Sequence, residues 1–163
     1  MTRYQLCNKL AANTASPGLQ HHSAIKQILR YLAGMKTLKI TYYNTPNETD
    51  TNNLFHGFAD ATFANTNNHK STTSYVFLGS GGAIMWKSKK QTVIMLSSME
   101  AEYVALSEAR CEATWLRNLY SELGFPQINP TIIKGNNDGS IVLTHNPQFH
   151  QRSKHITLHH HWV

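Results

Sequence analysis

Residues 97–106 read Ser97-Ser98-Met99-Glu100-Ala101-Glu102-Tyr103-Val104-Ala105-Leu106 and open the longest helix that the sequence predicts. Ser97 and Glu100 have the S-x-x-E spacing of a capping box, in which the serine accepts a backbone N–H and the glutamate reaches back. The helix is expected from about Ser98 to Leu123, with Gly124 as its stop and Pro126 just beyond. At about 100° per residue, Glu102 lies roughly 200° around the helix from Glu100. It shares a face with Ala105, Leu106, Ala109, Ala113 and Leu116, the apolar stripe that must pack on a sheet. Glu100 therefore has a structural task, whereas Glu102 stands at the edge of a buried stripe, free for a chemical one. Cys111 falls mid-helix with no base nearby in sequence and reads as core.

Working outward, three strands are expected before this helix, at about Phe55 to Phe63, Thr73 to Leu78 and Ala83 to Lys87. Asn65-Thr66-Asn67-Asn68 and Gly79-Ser80-Gly81-Gly82 separate them, and connections this short imply antiparallel hairpins. After the helix come a short, buried-looking strand at Thr131–Lys134 and a helix over Asn136 to His145. A last helix is expected from Arg152 to Val163. The order β-β-β-α-β-α describes an α/β domain with a mixed sheet. Further upstream, Ala24, Ile25, Ile28, Leu29 and Leu32 recur at helical steps from His21, with Gly34 as a C-cap. Leu38 to Tyr43 reads as a strand. The polar run from Asn44 to Asn53 contains Pro46 and is the best domain boundary.

Hydrophobic residues make up 40% and charged residues 15% of the 163 residues, which excludes compositional disorder and suits one domain with a small appendage. No stretch approaches the ~20 apolar residues of a membrane helix, and the N-terminus lacks a signal-peptide core. Cys7 and Cys111 form neither a disulfide framework nor a metal spacing, so a reducing, intracellular location is expected. Fifteen Lys and Arg against nine Asp and Glu leave a formal charge of +6, which favours a polyanionic partner.

Three places carry candidate chemistry. Asp60 lies in the apolar run Phe58-Ala59-Asp60-Ala61-Thr62-Phe63, where a buried carboxylate needs a cation or hydrogen-bond donors. Glu102 is the second. The third is the end of the Thr131–Lys134 strand, followed by Gly135-Asn136-Asn137-Asp138-Gly139. A two-ion nuclease needs several carboxylates converging there, and Asn136 is a neutral, weak ligand for a hard cation. Lys87-Ser88-Lys89-Lys90-Gln91 reads as a compact basic loop, and His150, Arg152, Lys154 and His155 as a second basic cluster. Either could hold phosphates or be a solvated charged turn. His159-His160-His161 points in divergent directions on a helix and does not read as a metal site. Trp86, Trp115 and Trp162 read as core or rim packing.

Several strings stand in a telling order: His22 to Gly34 (HSAIKQILRYLAG), Phe58-Ala59-Asp60-Ala61, Lys70-Ser71-Thr72-Thr73-Ser74-Tyr75, Trp86 to Gln91, Leu96 to Tyr103 and Asn146 to Ile156 (NPQFHQRSKHI). The series closely resembles the C-terminal part of copia-type retrotransposon polyproteins, where the reverse transcriptase tail leads into ribonuclease H. The resemblance implies a reverse transcriptase thumb or tether over residues 1–44, a linker over 45–53 and a ribonuclease H-like domain over 54–163. It implies Mg²⁺-dependent (or Mn²⁺-dependent) cutting of the RNA strand of an RNA–DNA hybrid during reverse transcription. Asp60 and Glu102 would be the metal ligands, and Lys87, Lys89, Lys90, Arg152 and Lys154 the hybrid-backbone contacts. The partners implied are the hybrid and the rest of the polyprotein, with no membrane. The setting implied is a cytoplasmic virus-like particle or the nucleus.

Two departures from that family matter. Its pattern after the fourth strand is Asp-Asn, and here Asn136-Asn137 stands instead, with Asp138 expected too far on to replace the ligand. The family also continues past Val163 into a further strand and a helix bearing a last catalytic Asp, so truncation of the domain is expected. Weak or absent activity follows. A non-catalytic nucleic-acid-binding remnant and a purely structural domain stay open as alternatives.

Overall fold

The computed structural model describes residues 10–11, 14–43, 54–66 and 68–145. The expected linker, Cys7, Arg152, Lys154, the histidine triplet, Trp162 and the expected last helix lie outside the described residues. The chain divides into two compact units, residues 1–40 and 41–163. In the first, helix α1 (Leu19–Gly34) starts two residues before its expected origin, and the Gly18 N–H donates to His21 Nδ1 at 2.9 Å. Its apolar Ile25, Leu29 and Leu32 are exposed.

The strand expected over 38–43 does not form. The Leu38 N–H turns back onto the Met35 carbonyl. Within the second unit, the Tyr43 N–H donates to the Ser80 carbonyl and the Tyr42 hydroxyl to the Ala83 carbonyl. The β-branched and aromatic residues there have strand propensity, but they are tied to a hairpin turn instead of running along a ladder.

The second unit contains β1 (His56–Thr62), β2 (Thr72–Gly79), β3 (Gly82–Lys90), α2 (Ser98–Glu122), β4 (Ile133–Lys134) and α3 (Asp138–His145). Its order is the expected β-β-β-α-β-α. The sheet runs β3-β2-β1-β4, with the first three strands antiparallel and β4 parallel to β1. It is a mixed α/β fold. Ser80 and Gly81 both have positive φ, as a two-residue type I′ hairpin between β2 and β3 requires.

The apolar stripe of α2 packs on the sheet as its spacing dictates. Leu106, Ala109, Ala113 and Leu116 join Phe55, Ala59, Tyr75 and Phe77 in one buried cluster. A second cluster, Met95, Ala101, Tyr103 and Val104, lies around the start of the helix. Cys111, expected in the core, is exposed instead. It sits between the buried turns of α2 that contribute Ala109 and Ala113. Trp86 and Trp115 are also exposed, so neither is a core residue.

β4 is shorter and more open than the buried four-residue strand expected. Only Ile133 and Lys134 pair with β1, and Ile132 is 51% exposed, because β4 is the sheet edge. Arg117 of α2 fixes the approach to it. Its Nη1 donates to the Asn129 carbonyl (2.7 Å) and Thr131 Oγ1 (3.1 Å), and its Nη2 to the Gln127 carbonyl (2.7 Å). Among the described residues no helix is long and apolar enough to cross a membrane.

Candidate functional site

Asp60 is two residues beyond Phe58 on β1, and Asn136 is two beyond Lys134, which pairs with Phe58 in the parallel register. Both side chains therefore emerge at the same carboxyl end of adjacent parallel strands, a usual place for a site in α/β sheets. The Asn136 carboxamide Nδ2 donates to Asp60 Oδ1 at 3.4 Å. Glu102 enters from the first turns of α2, and its Oε2 accepts the Ala61 N–H at 3.1 Å. The structure thus brings Asp60, Glu102 and Asn136 to one corner.

Glu100 is turned to a different use. Ser97 Oγ accepts the Glu100 N–H (3.2 Å), and Glu100 Oε2 accepts the Leu96 N–H (2.8 Å). This is the reciprocal closure of a capping box, displaced by one residue on its return leg.

Burial falls differently from the expectation drawn from the apolar run around Asp60. β1 alternates, so Ala59 is buried and Asp60 exposed, while Glu102 is only 7% exposed. The desolvation cost therefore rests on Glu102. Burial pushes its carboxyl above the usual range, the Ala61 N–H opposes this, and the neighbouring Asp60 carboxylate adds to the rise.

A carboxyl whose folded pKa is raised binds protons more tightly when folded, so its penalty grows as pH rises from the unfolded value through the folded one. Glu102→Gln, which retains an oxygen for the Ala61 N–H, should raise the melting temperature at pH 7. The gain should shrink toward about pH 3, below the ordinary carboxylate range, where Glu102 is protonated in both states. A gain that is equal at both pH values would contradict this account of the burial.

Asp138 is exposed at the first turn of α3, two residues past Asn136. Its predecessor Asn137 caps that helix, with Oδ1 accepting the Ser140 N–H at 3.0 Å. The helix begins here and not at Asn136 because Asn137 takes the capping role. Among the described residues no group of three or more His, Cys, Asp or Glu side chains is placed to hold a metal.

The basic segment needs correction. Lys87, Lys89 and Lys90 do not form a loop, because β3 extends through Lys90 and pairs with β2 down to Thr72. Side chains alternate along a strand, so Lys87 and Lys89 project on one face and Lys90 on the other, with Trp86. Lys87 is also engaged, at 3.7 Å from Glu108 Oε2 and over the Tyr75 ring. Tyr75 donates its hydroxyl to Glu112 Oε2 at 2.5 Å, and burial with that bond pushes the phenol well above its usual range. Gln91, read with the lysines, is 3% exposed and ties Thr73 Oγ1 to the Ala101 carbonyl.

Sequence reasoning missed the roles of Gln91, Arg117 and Asn137. An N-cap signal was present for Asn137, but Gln91 and Arg117 act on groups that only the fold brings near.

No family model matches the chain. It is 37% identical over 149 residues to the retrovirus-related Pol polyprotein from transposon TNT 1-94 of Nicotiana tabacum, covering 91% of this chain and 11% of that protein. It is 36% identical over 157 residues to the corresponding polyprotein from transposon RE2 of Arabidopsis thaliana, covering 96% of this chain and 10% of that protein. The chain therefore spans about a tenth of the polyproteins it matches. It is also 39% identical over 108 residues to the secreted RxLR effector protein 161 of Plasmopara viticola, covering 66% of this chain and 72% of that protein. Among solved structures, the catalytic domain of human Endonuclease V aligns with a TM-score of 0.34 at 19% identity, over 74% of this chain and 48% of that one.

Proposed function

The chain belongs to the copia-type retrovirus-related Pol polyproteins of transposons, and from that membership we propose that its second unit is a ribonuclease H-type domain with an impaired site. Its ancestral task is hydrolysis of the RNA strand of RNA–DNA hybrids during reverse transcription. The observation that carries this reading is the meeting of Asp60 and Glu102 at the carboxyl ends of parallel β1 and β4. A carboxylate pair at such a corner is suited to hold Mg²⁺ or Mn²⁺ against a phosphate.

The donor set does not fit the two-ion form of that chemistry. Two carboxylates supply a charge of −2 against the +4 of two divalent ions, and the third side chain is a neutral amide. Asn136 therefore favours weak or absent cleavage. The second reading, a nucleic-acid-binding remnant without catalysis, draws on the same residue. Residues 1–44 correspond, on this reading, to the end of the reverse transcriptase, and the domain's other partner is the rest of the polyprotein. Its setting is intracellular, in a virus-like particle or the nucleus.

A hybrid would be recognised by groove shape and by the 2′-hydroxyls of one strand, with lysines on the phosphates. Lys89 and Lys90 are exposed for that use. Arg152 and Lys154 lie outside the described residues. Four such contacts predict that log affinity for a labelled RNA–DNA hybrid falls with log salt at a slope of roughly −3 to −4. Lys89→Ala and Lys90→Ala should each flatten the slope by about 1. Hybrid affinity that is constant from 50 to ~200 mM salt would contradict the proposal.

A further inference from the structure

We infer that in this chain the Asn136 carboxamide takes the place of a cation beside Asp60, so that this corner of the sheet is complete without metal and the folded domain is indifferent to Mg²⁺. The inference rests on the nuclease reading above and concerns what became of its site.

Two carboxylates in one corner normally call for a compensating positive group. Here each has a donor from the protein itself. Asp60 Oδ1 accepts a hydrogen bond from Asn136 Nδ2 at 3.4 Å, and Glu102 Oε2 accepts the Ala61 N–H at 3.1 Å. The amide thus presents N–H to the oxygen that a metal would need, and an arriving ion must displace it. The backbone keeps the amide in place from both sides. Lys134 pairs with Phe58 just before it, and Asn137 caps α3 just after it.

An aspartate in this position would have the opposite effect. Ionised, it has no hydrogen to offer Asp60 and adds a third negative charge to the corner, a repulsion that a divalent cation would relieve at neutral pH. A single change, Asn136→Asp, should therefore turn a metal-indifferent corner into a metal-dependent one.

The experiment compares melting of the 163-residue chain and its Asn136→Asp variant in EDTA and in increasing MgCl₂, with KCl at matched ionic strength as the control. For the chain as it stands, the two salts should give melting temperatures within about 1 °C, because an ion that does not bind the folded state does not stabilise it. The Asn136→Asp variant should melt lower in EDTA and recover by several degrees, saturably, with Mg²⁺. Should that variant fail to fold, free Mn²⁺ measured by its electron paramagnetic resonance signal tests the parent chain directly. The signal should be undiminished by equimolar protein, and saturable uptake that Asp60→Asn abolishes would overturn the inference. Saturable Mg²⁺ stabilisation of the parent would do the same, while leaving the nuclease reading standing. A folded Asn136→Asp variant with no metal response would overturn both, since Asp60 and Glu102 would then not be ligands.

Discussion

Truncating Phe77 to alanine should cost the second unit about 3–5 kcal/mol, the usual toll for removing a fully buried aromatic ring. Phe77 is 0% exposed toward the carboxyl end of β2 and packs edge-on against Phe55 (5.8 Å between centroids) and Tyr75 (5.9 Å). Its ring occupies space that β1 leaves free. Gly57 is its partner across the ladder, and a Cβ there would lie 2.5 Å from Phe77 Cε1. Gly57→Ala alone should therefore also destabilise, by overpacking, at about 1–3 kcal/mol. The two changes should not add, because the new methyl has room once the ring is gone. Urea unfolding of the four proteins measures this coupling, and a Phe77→Ala cost below about 1 kcal/mol would refute the packing account. Against a net stability of about 5–15 kcal/mol, the single change is close to decisive for folding.

Asn136→Asp should raise Mg²⁺-dependent cleavage of an RNA–DNA hybrid on the order of 100-fold, the scale on which a metal site responds to changes in its shell. The comparison is made between the 163-residue chain and its Asn136→Asp variant. The substitution would add the third carboxylate that the pair of Asp60 and Glu102 lacks, at the position where the parallel register brings the two strands together. Adding Asp60→Asn should abolish the gain. Equal rates with and without the Asn136→Asp change would show that this position has no part in the chemistry.

The distinction between Glu100 and Glu102 was legible in the sequence because a helix has a fixed angular step. The same periodicity identified Leu106, Ala109, Ala113 and Leu116 as packing residues, and all four are buried. The meeting of Asp60 with Asn136 follows from the parallel pairing of β1 with β4.

The failures share a physical origin. Lys87, Lys89 and Lys90 are poor strand formers by propensity, yet they extend β3 because an edge strand can pair on one side while its side chains reach solvent. Asp60 sits in a hydrophobic run, but the alternation of β1 exposes it and puts the burial cost on Glu102. Leu38 to Tyr43 has the composition of a strand, and composition does not say whether a neighbouring edge is free. Arg117 reads as one more helical charge until the turn before β4 brings three oxygens within its reach.

The central proposal is that this polyprotein segment is a ribonuclease H-type domain whose metal site is impaired at Asn136. Single-turnover cleavage of a labelled RNA–DNA hybrid by the 163-residue chain, in Mg²⁺ and in EDTA, tests it most directly. The account predicts equal and negligible cleavage in both. Robust cleavage that EDTA stops and Asp60→Asn abolishes would contradict it.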